Sequence, residues 1–282
     1  SASPNIRNRI LAKTTDQIAK VKQEFENRGI QSNGLDEVSK VLVDRVFREI
    51  TTVVSSHPLA NASLNDFSAL MEAMISISRS FDKFNIDNSL ITASILTLSR
   101  SFVESFHSEQ MNRLSNVLMN EKFIKKNPEP AHIDILKKLT NSDVNGLILK
   151  NESYGATTSL LVLLEIIWCY WQAARRLQKT QNDITCKMCE AIKSFNSKTH
   201  DLLLLLGGAT HTVKLKQITT KNLALSAASL HFLINIIPNI KLRNVAIGAS
   251  DELVNLQFTD VNKSLEAHLN QILDKIIEVM SF

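Results

Sequence analysis

From Asn88 to Lys125 the chain runs without a glycine or a proline, and Ile91, Ile95, Leu98, Phe102, Phe106, Leu114, Val117 and Leu118 recur along it three to four residues apart or in multiples of that spacing. Apolar residues so spaced share one face of an α-helix. At 1.5 Å per residue, an unbroken helix of that length reaches roughly 55 Å. A globule of this chain length is about 50 Å across, so the spacing predicts a shape more rod than ball.

The remaining sequence is equally poor in residues that turn a chain, with 7 glycines and 5 prolines among 282 residues. Sandwiches, barrels and doubly wound sheets need many tight turns, which draw on both residues. The expectation is therefore an all-α fold of elongated, stacked helical bundles, with a 44% apolar content to fill their cores. A net charge of +4 is too small for a strongly basic nucleic-acid binder. Three cysteines cannot all pair within one chain, so no disulfide is expected and a reducing compartment fits.

The apolar run from Leu160 to Trp171 contains Glu165 and is shorter than the ~20 residues of a membrane span, so it reads as a buried helix of a soluble core. No signal-peptide pattern is visible, and a start at Ser1-Ala2-Ser3 without methionine fits an excised fragment.

Helices are expected over residues 6–28, ending at Gly29, and from Leu35 through Val53, closed by Pro58. Another follows the capping pair Ser63 and Asp66, with Phe67, Leu70, Met71, Met74, Ile75 and Phe81 on its buried side. The long helix over 88–125 then meets Lys125-Lys126-Asn127-Pro128-Glu129-Pro130, where two prolines cannot both lie inside a helix. This predicts a hinge between an N-terminal bundle, residues 1–127, and a C-terminal bundle, residues 131–282. The second bundle is expected to hold a short helix, then helices near 153–179 and 183–206, a break at Gly207-Gly208, a helix from Ile218 that includes Pro238, and a last one over 251–282.

Little in the sequence points to catalysis. Cys186-Lys187-Met188-Cys189 lacks the further ligands of a zinc site and the βαβ setting of a redox motif, and residues three apart share a helix face. Buried small side chains explain it better. The histidines show no H-E-x-x-H pairing, the serines sit in no G-x-S-x-G elbow, and Gly207-Gly208 has no phosphate-loop continuation. No catalytic residue, metal or cofactor is expected, and the protein reads as a non-enzyme. The Trp168-Cys169-Tyr170-Trp171 stretch is expected to be buried between helices.

One charge pattern is unusual. Between Asp201 and Asp251 there is no acidic residue, while Lys214, Lys216, Lys221, Lys241 and Arg243 are present. These five form a candidate interaction surface for an acidic partner or anionic lipid, each well-placed base adding about 1 kcal/mol at such a membrane.

Residues 195–241 carry a resemblance. Phe195-Asn196-Ser197-Lys198-Thr199, the leucines leading to Gly207, Leu215-Lys216, Ile218-Thr219-Thr220-Lys221-Asn222-Leu223-Ala224-Leu225-Ser226, Ile237-Pro238 and Ile240-Lys241 resemble the conserved block of the vacuolar protein sorting-associated protein 54 family. Asn151-Glu152-Ser153-Tyr154 is similar to it upstream, whereas Leu202 to Leu206 followed by Gly207-Gly208-Ala209 departs from the family's glycine-alanine-glycine step. The resemblance implies a subunit of the Golgi-associated retrograde protein tethering complex, cytoplasmic and peripheral at trans-Golgi network and endosomal membranes. It implies the other subunits of that complex as partners, with SNARE contacts mainly in regions outside this chain. A helical adaptor that binds anionic membrane through its basic segment is the alternative reading.

Overall fold

The computed structural model describes residues 62–83, 88–141, 146–149, 152–205 and 218–281, together with Arg45 and Arg48, which are helical. The helices expected over 6–28 and 35–53 and the break at Gly207-Gly208 lie outside the described residues, apart from those two arginines. The described chain forms helices α1 (Leu64–Lys83), α2 (Ser89–Met119), α3 (Pro130–Thr140), α4 (Thr158–Arg176), α5 (Gln181–His200), α6 (Thr220–Ala246) and α7 (Asp251–Met280). Two short strands, β1 (Ile148–Leu149) and β2 (Glu152–Ser153), pair antiparallel before α4. The fold is all-α helical bundle, as the shortage of turn residues implies. The chain divides into two compact units, Ser1–Phe106 and His107–Phe282, and the division falls within α2.

In the first unit, Ser63 caps α1: its Oγ accepts from the Asp66 amide at 3.2 Å and donates to the Asp66 carboxylate at 2.8 Å. The capping pair read from sequence is thus formed. Phe67, Leu70, Met71 and Met74 are buried from α1, and Ile91, Ile95 and Phe102 from α2. The Phe67 and Phe102 rings stack with centroids 4.1 Å apart. Asn88 Nδ2 closes the α1–α2 corner by donating to the Ser78 carbonyl and hydroxyl and to Asp82.

The second unit is built around α4. Leu160, Leu163, Leu164, Ile166, Ile167, Tyr170 and Ala174 have no exposed surface, and at the helical period these positions share one broad face of the helix. Neighbours must therefore cover that face. α3 and α5 pack against α4, α7 packs on α5, and α6 lies against α7, α3 and α4. Glu165, the one charge in the apolar run, is not stranded: it pairs with Arg113 of α2 and with His132 of α3, whose Nε2 lies 3.0 Å away.

The long second helix is shorter than its apolar spacing predicts, since α2 ends at Met119 rather than near Lys125. The physical reason is Glu121, which is 3% exposed. Its Oε1 accepts the amide of Phe123 at 2.8 Å and its Oε2 accepts the amide of Ser159 at 2.7 Å. A carboxylate at the positive N-terminus of α4 is well placed. Reaching it takes the backbone out of helix, with Phe123 at φ 50°. Residues 120–129 then run without helix, with one bridge between Lys126 and Ala156, and Pro130 starts α3, where its missing N–H costs nothing.

Replacing Glu121 by alanine leaves two buried amides without an acceptor. We expect a loss of about 2–3 kcal/mol in unfolding free energy, measured by urea denaturation of the 282-residue chain.

Candidate functional site

The five basic residues of the acid-free stretch do not converge. Lys214 and Lys216 lie outside the described residues. Lys221 is exposed in the first turn of α6, twenty residues before Lys241, which is about 30 Å along a helix. Lys241 lines a groove, and Arg243 takes a third direction. Its Nε donates to the Leu139 carbonyl at 3.3 Å, and its guanidinium lies over the Trp171 ring.

The groove beside Lys241 lies between α6 and α7 and has a volume of about 680 Å³. Ile234, Ile237, Pro238, Leu242, Val254 and Phe258 supply its apolar lining. Pro238 does not end α6, which continues to Ala246. Having no N–H, it offers no helical hydrogen bond to the carbonyl of Ile234, its neighbour in the groove. By length and composition α6 could also cross a membrane. In this structure 56% of its most apolar window is buried inside the bundle.

Part of the quoted family-like block faces inward. Phe195, Thr199, Leu223, Ser226, Ile237 and Ile240 are buried. Asn196 joins α5 to α7, its Nδ2 donating to the Ser264 carbonyl at 3.0 Å and hydroxyl at 2.7 Å. Its Oδ1 accepts from His268 Nδ1 at 2.7 Å, which leaves the buried Nε2 of His268 without a partner. Thr219 and Asn222 form a capping box at the start of α6, and Asn222 Nδ2 reaches the Phe123 carbonyl at 3.0 Å. Lys198 donates to Ser115 Oγ at 3.0 Å, tying α5 to α2. These contacts fix how helices meet.

Cys186 and Cys189 lie on α5. Cys189 is fully buried, and burial pushes its thiol up to about 12. Cys186, half-buried, is also raised by burial, as is Cys169. All three cysteines are free, and no group of three or more potential metal ligands occurs among the described residues. Thiols held protonated make poor nucleophiles and poor ligands.

Comparison with known proteins shows what the chain is similar to. A family model described as Vps54-like protein matches residues 151–282. Those residues are similar to the Vps54-like family. The human protein named vacuolar protein sorting-associated protein 54 is 27% identical over 231 residues, covering 73% of this chain and 24% of its own length. The relative of that name in Caenorhabditis elegans is 24% identical over 226 residues, covering 67% and 21%. An Arabidopsis thaliana relative named vacuolar protein sorting-associated protein 54, chloroplastic, is 25% identical over 140 residues, covering 48% and 13%. The chain thus spans about a quarter of the length of the first curated relatives it matches. No solved structure matches it significantly. The Vps54-like region begins just before α4 and takes in α4 to α7.

Two measurements check this interior. His268 is depressed to about 4, first by burial and then by the His200 ring 5.0 Å away, with Asp201 opposing. The folded chain therefore refuses, down to about pH 4, a proton that the unfolded chain accepts near pH 6.5. Stability present above pH 6.5 falls as the pH drops through that window, by about 2–3 kcal/mol when complete. Denaturation at a series of pH values reads this slope, and His268→Leu flattens it. In thiol titration of the native chain at neutral pH, Cys189 stays unmodified while Cys169 and Cys186 react slowly; all three react at once in denaturant.

Proposed function

We propose that this chain is a non-enzymatic segment of a vesicle-tethering subunit of the Golgi-associated retrograde protein complex, acting in transport from endosomes to the trans-Golgi network. The observation that carries this reading is the match of residues 151–282 to the Vps54-like family, together with relatives of the same name in animals and a plant. A tether needs rigid helical units and surfaces that other subunits recognise, and needs no reactive centre. The interior of the second unit suits that work. Its polar groups, including Glu121, Asn196 and Asn244, are spent on contacts between helices, and its thiols are held protonated.

On this reading the partners are the other subunits of the complex, SNARE contacts lie mainly outside the chain, and the protein works in the cytoplasm, peripherally on trans-Golgi network and endosomal membranes. The chain contributes helical units to that subunit, with the Pro128–Pro130 step proposed as a hinge.

Affinity capture of the full-length protein from cells tests the proposal. We expect it to recover the other subunits, and depletion of the protein to missort cargo that cycles between endosomes and the trans-Golgi network. Normal sorting with no co-purifying subunit rejects it.

A further inference from the structure

A second concave site shares no residue with the Lys241 groove. It is a cup of about 490 Å³ lined by Lys138 and Asn141 from the end of α3, Trp168, Trp171, Gln172, Arg175 and Arg176 from the last turns of α4, and Arg243 from the last turn of α6. Four of these eight residues are cationic, and none is acidic. Lys138 alone of Lys138, Arg175 and Arg243 has a carboxylate partner, Asp134, at 2.5 Å on its own helix. Among the described residues, neither Arg175 nor Arg243 pairs with one.

The tryptophans explain how the cations stay in place. Trp168 and Trp171 stack with centroids 4.8 Å apart. Lys138 Nζ lies 5.5 Å from the Trp168 ring centre, and the Arg175 and Arg243 guanidiniums lie 5.2 and 6.0 Å from that of Trp171. Indole faces attract cations without neutralising them. Trp171 is itself fixed, with Nε1 donating to the Arg243 carbonyl at 3.4 Å. The result is a preorganised set of like charges drawn together from three helices, a concentration that repels itself until an anion enters.

Guanidinium forks match phosphate oxygens, and ligand charge beyond −1 is needed to balance this many cations.

We propose that this cup binds a ligand bearing clustered phosphates, of the inositol-phosphate type, with Arg175 and Arg243 as the principal phosphate contacts and Lys138 as a supporting charge. The inference is independent of the tethering role, since it rests on the cup alone. The same chemistry occurs in a phosphoinositide headgroup and in a soluble inositol polyphosphate, and the test separates them.

The 282-residue chain is titrated with inositol hexakisphosphate by calorimetry. It is also floated with phosphatidylcholine vesicles containing phosphatidylinositol bisphosphate, alongside phosphatidylserine vesicles of matched charge. We expect saturable binding that weakens about fivefold in Arg175→Gln, a similar amount in Arg243→Gln, and at least twentyfold in the double variant. Arg175→Gln disturbs no hydrogen bond in the structure, so it guards against a folding defect in the others, and unfolding midpoints are measured for all. Binding of both probes assigns the headgroup phosphates as the determinant, and binding of bisphosphate vesicles alone assigns a lipid source; either outcome supports the site if the variants lose it. No binding of either probe, equal binding to phosphatidylserine vesicles, or binding unchanged in the double variant overturns the proposal.

Discussion

A helix with a broad apolar face must have that face covered, and that requirement on α4 organises the second unit. The leucines and isoleucines on it are stable only when water is excluded from that face, each fully buried side chain contributing about 1.5–3 kcal/mol. Excluding water creates a second demand, because the N-terminus of α4 and Glu165 in its middle are polar and lose their hydration as well. Both are met from outside the helix. Glu121 accepts the Ser159 amide, and Arg113 and His132 hold Glu165. The same contacts bind α2 and α3 to α4, so satisfying the polar groups and enclosing the apolar surface are one arrangement.

The polar contacts of the family-like block continue that logic outward. α5 must cover α4 and also carry α7, and Asn196 sits where those tasks meet. A buried amide bonded on both sides permits one helix register and penalises others. Asn244 has the same role between α6 and α5, with Thr185 3.2 Å from its Oδ1 and its Nδ2 donating to the Ile240 carbonyl. Asn196 and Asn244 thus help specify how the bundle locks.

Much of this was legible in the sequence because helices announce themselves locally. Ser63 with Asp66, the start of α6 after Ile218, and the start of α7 at Asp251 follow from spacing and capping chemistry within a few residues. Glu165 was visible as an odd charge, but its partners were not, since Arg113 and His132 lie far away in the chain. The early end of α2 was hidden for a related reason: Glu121 looks like any surface glutamate until Ser159 is brought to it. The tryptophan-lined cup was harder still. The acid-free stretch pointed to Arg243, yet Lys138 and Arg175 join it only after three helices have packed, while Lys221 and Lys241 face elsewhere.

If α4 is the enclosed centre on which the second unit depends, its amides open only when that unit unfolds. Native-state hydrogen exchange followed by mass spectrometry measures this directly. The account predicts that residues 160–174 exchange slowest in the chain, in concert with the buried positions of α5 and α6 around Asn196 and Asn244. Exchange of α4 as fast as that of the exposed end of α7, with α5 and α6 still protected, would contradict it.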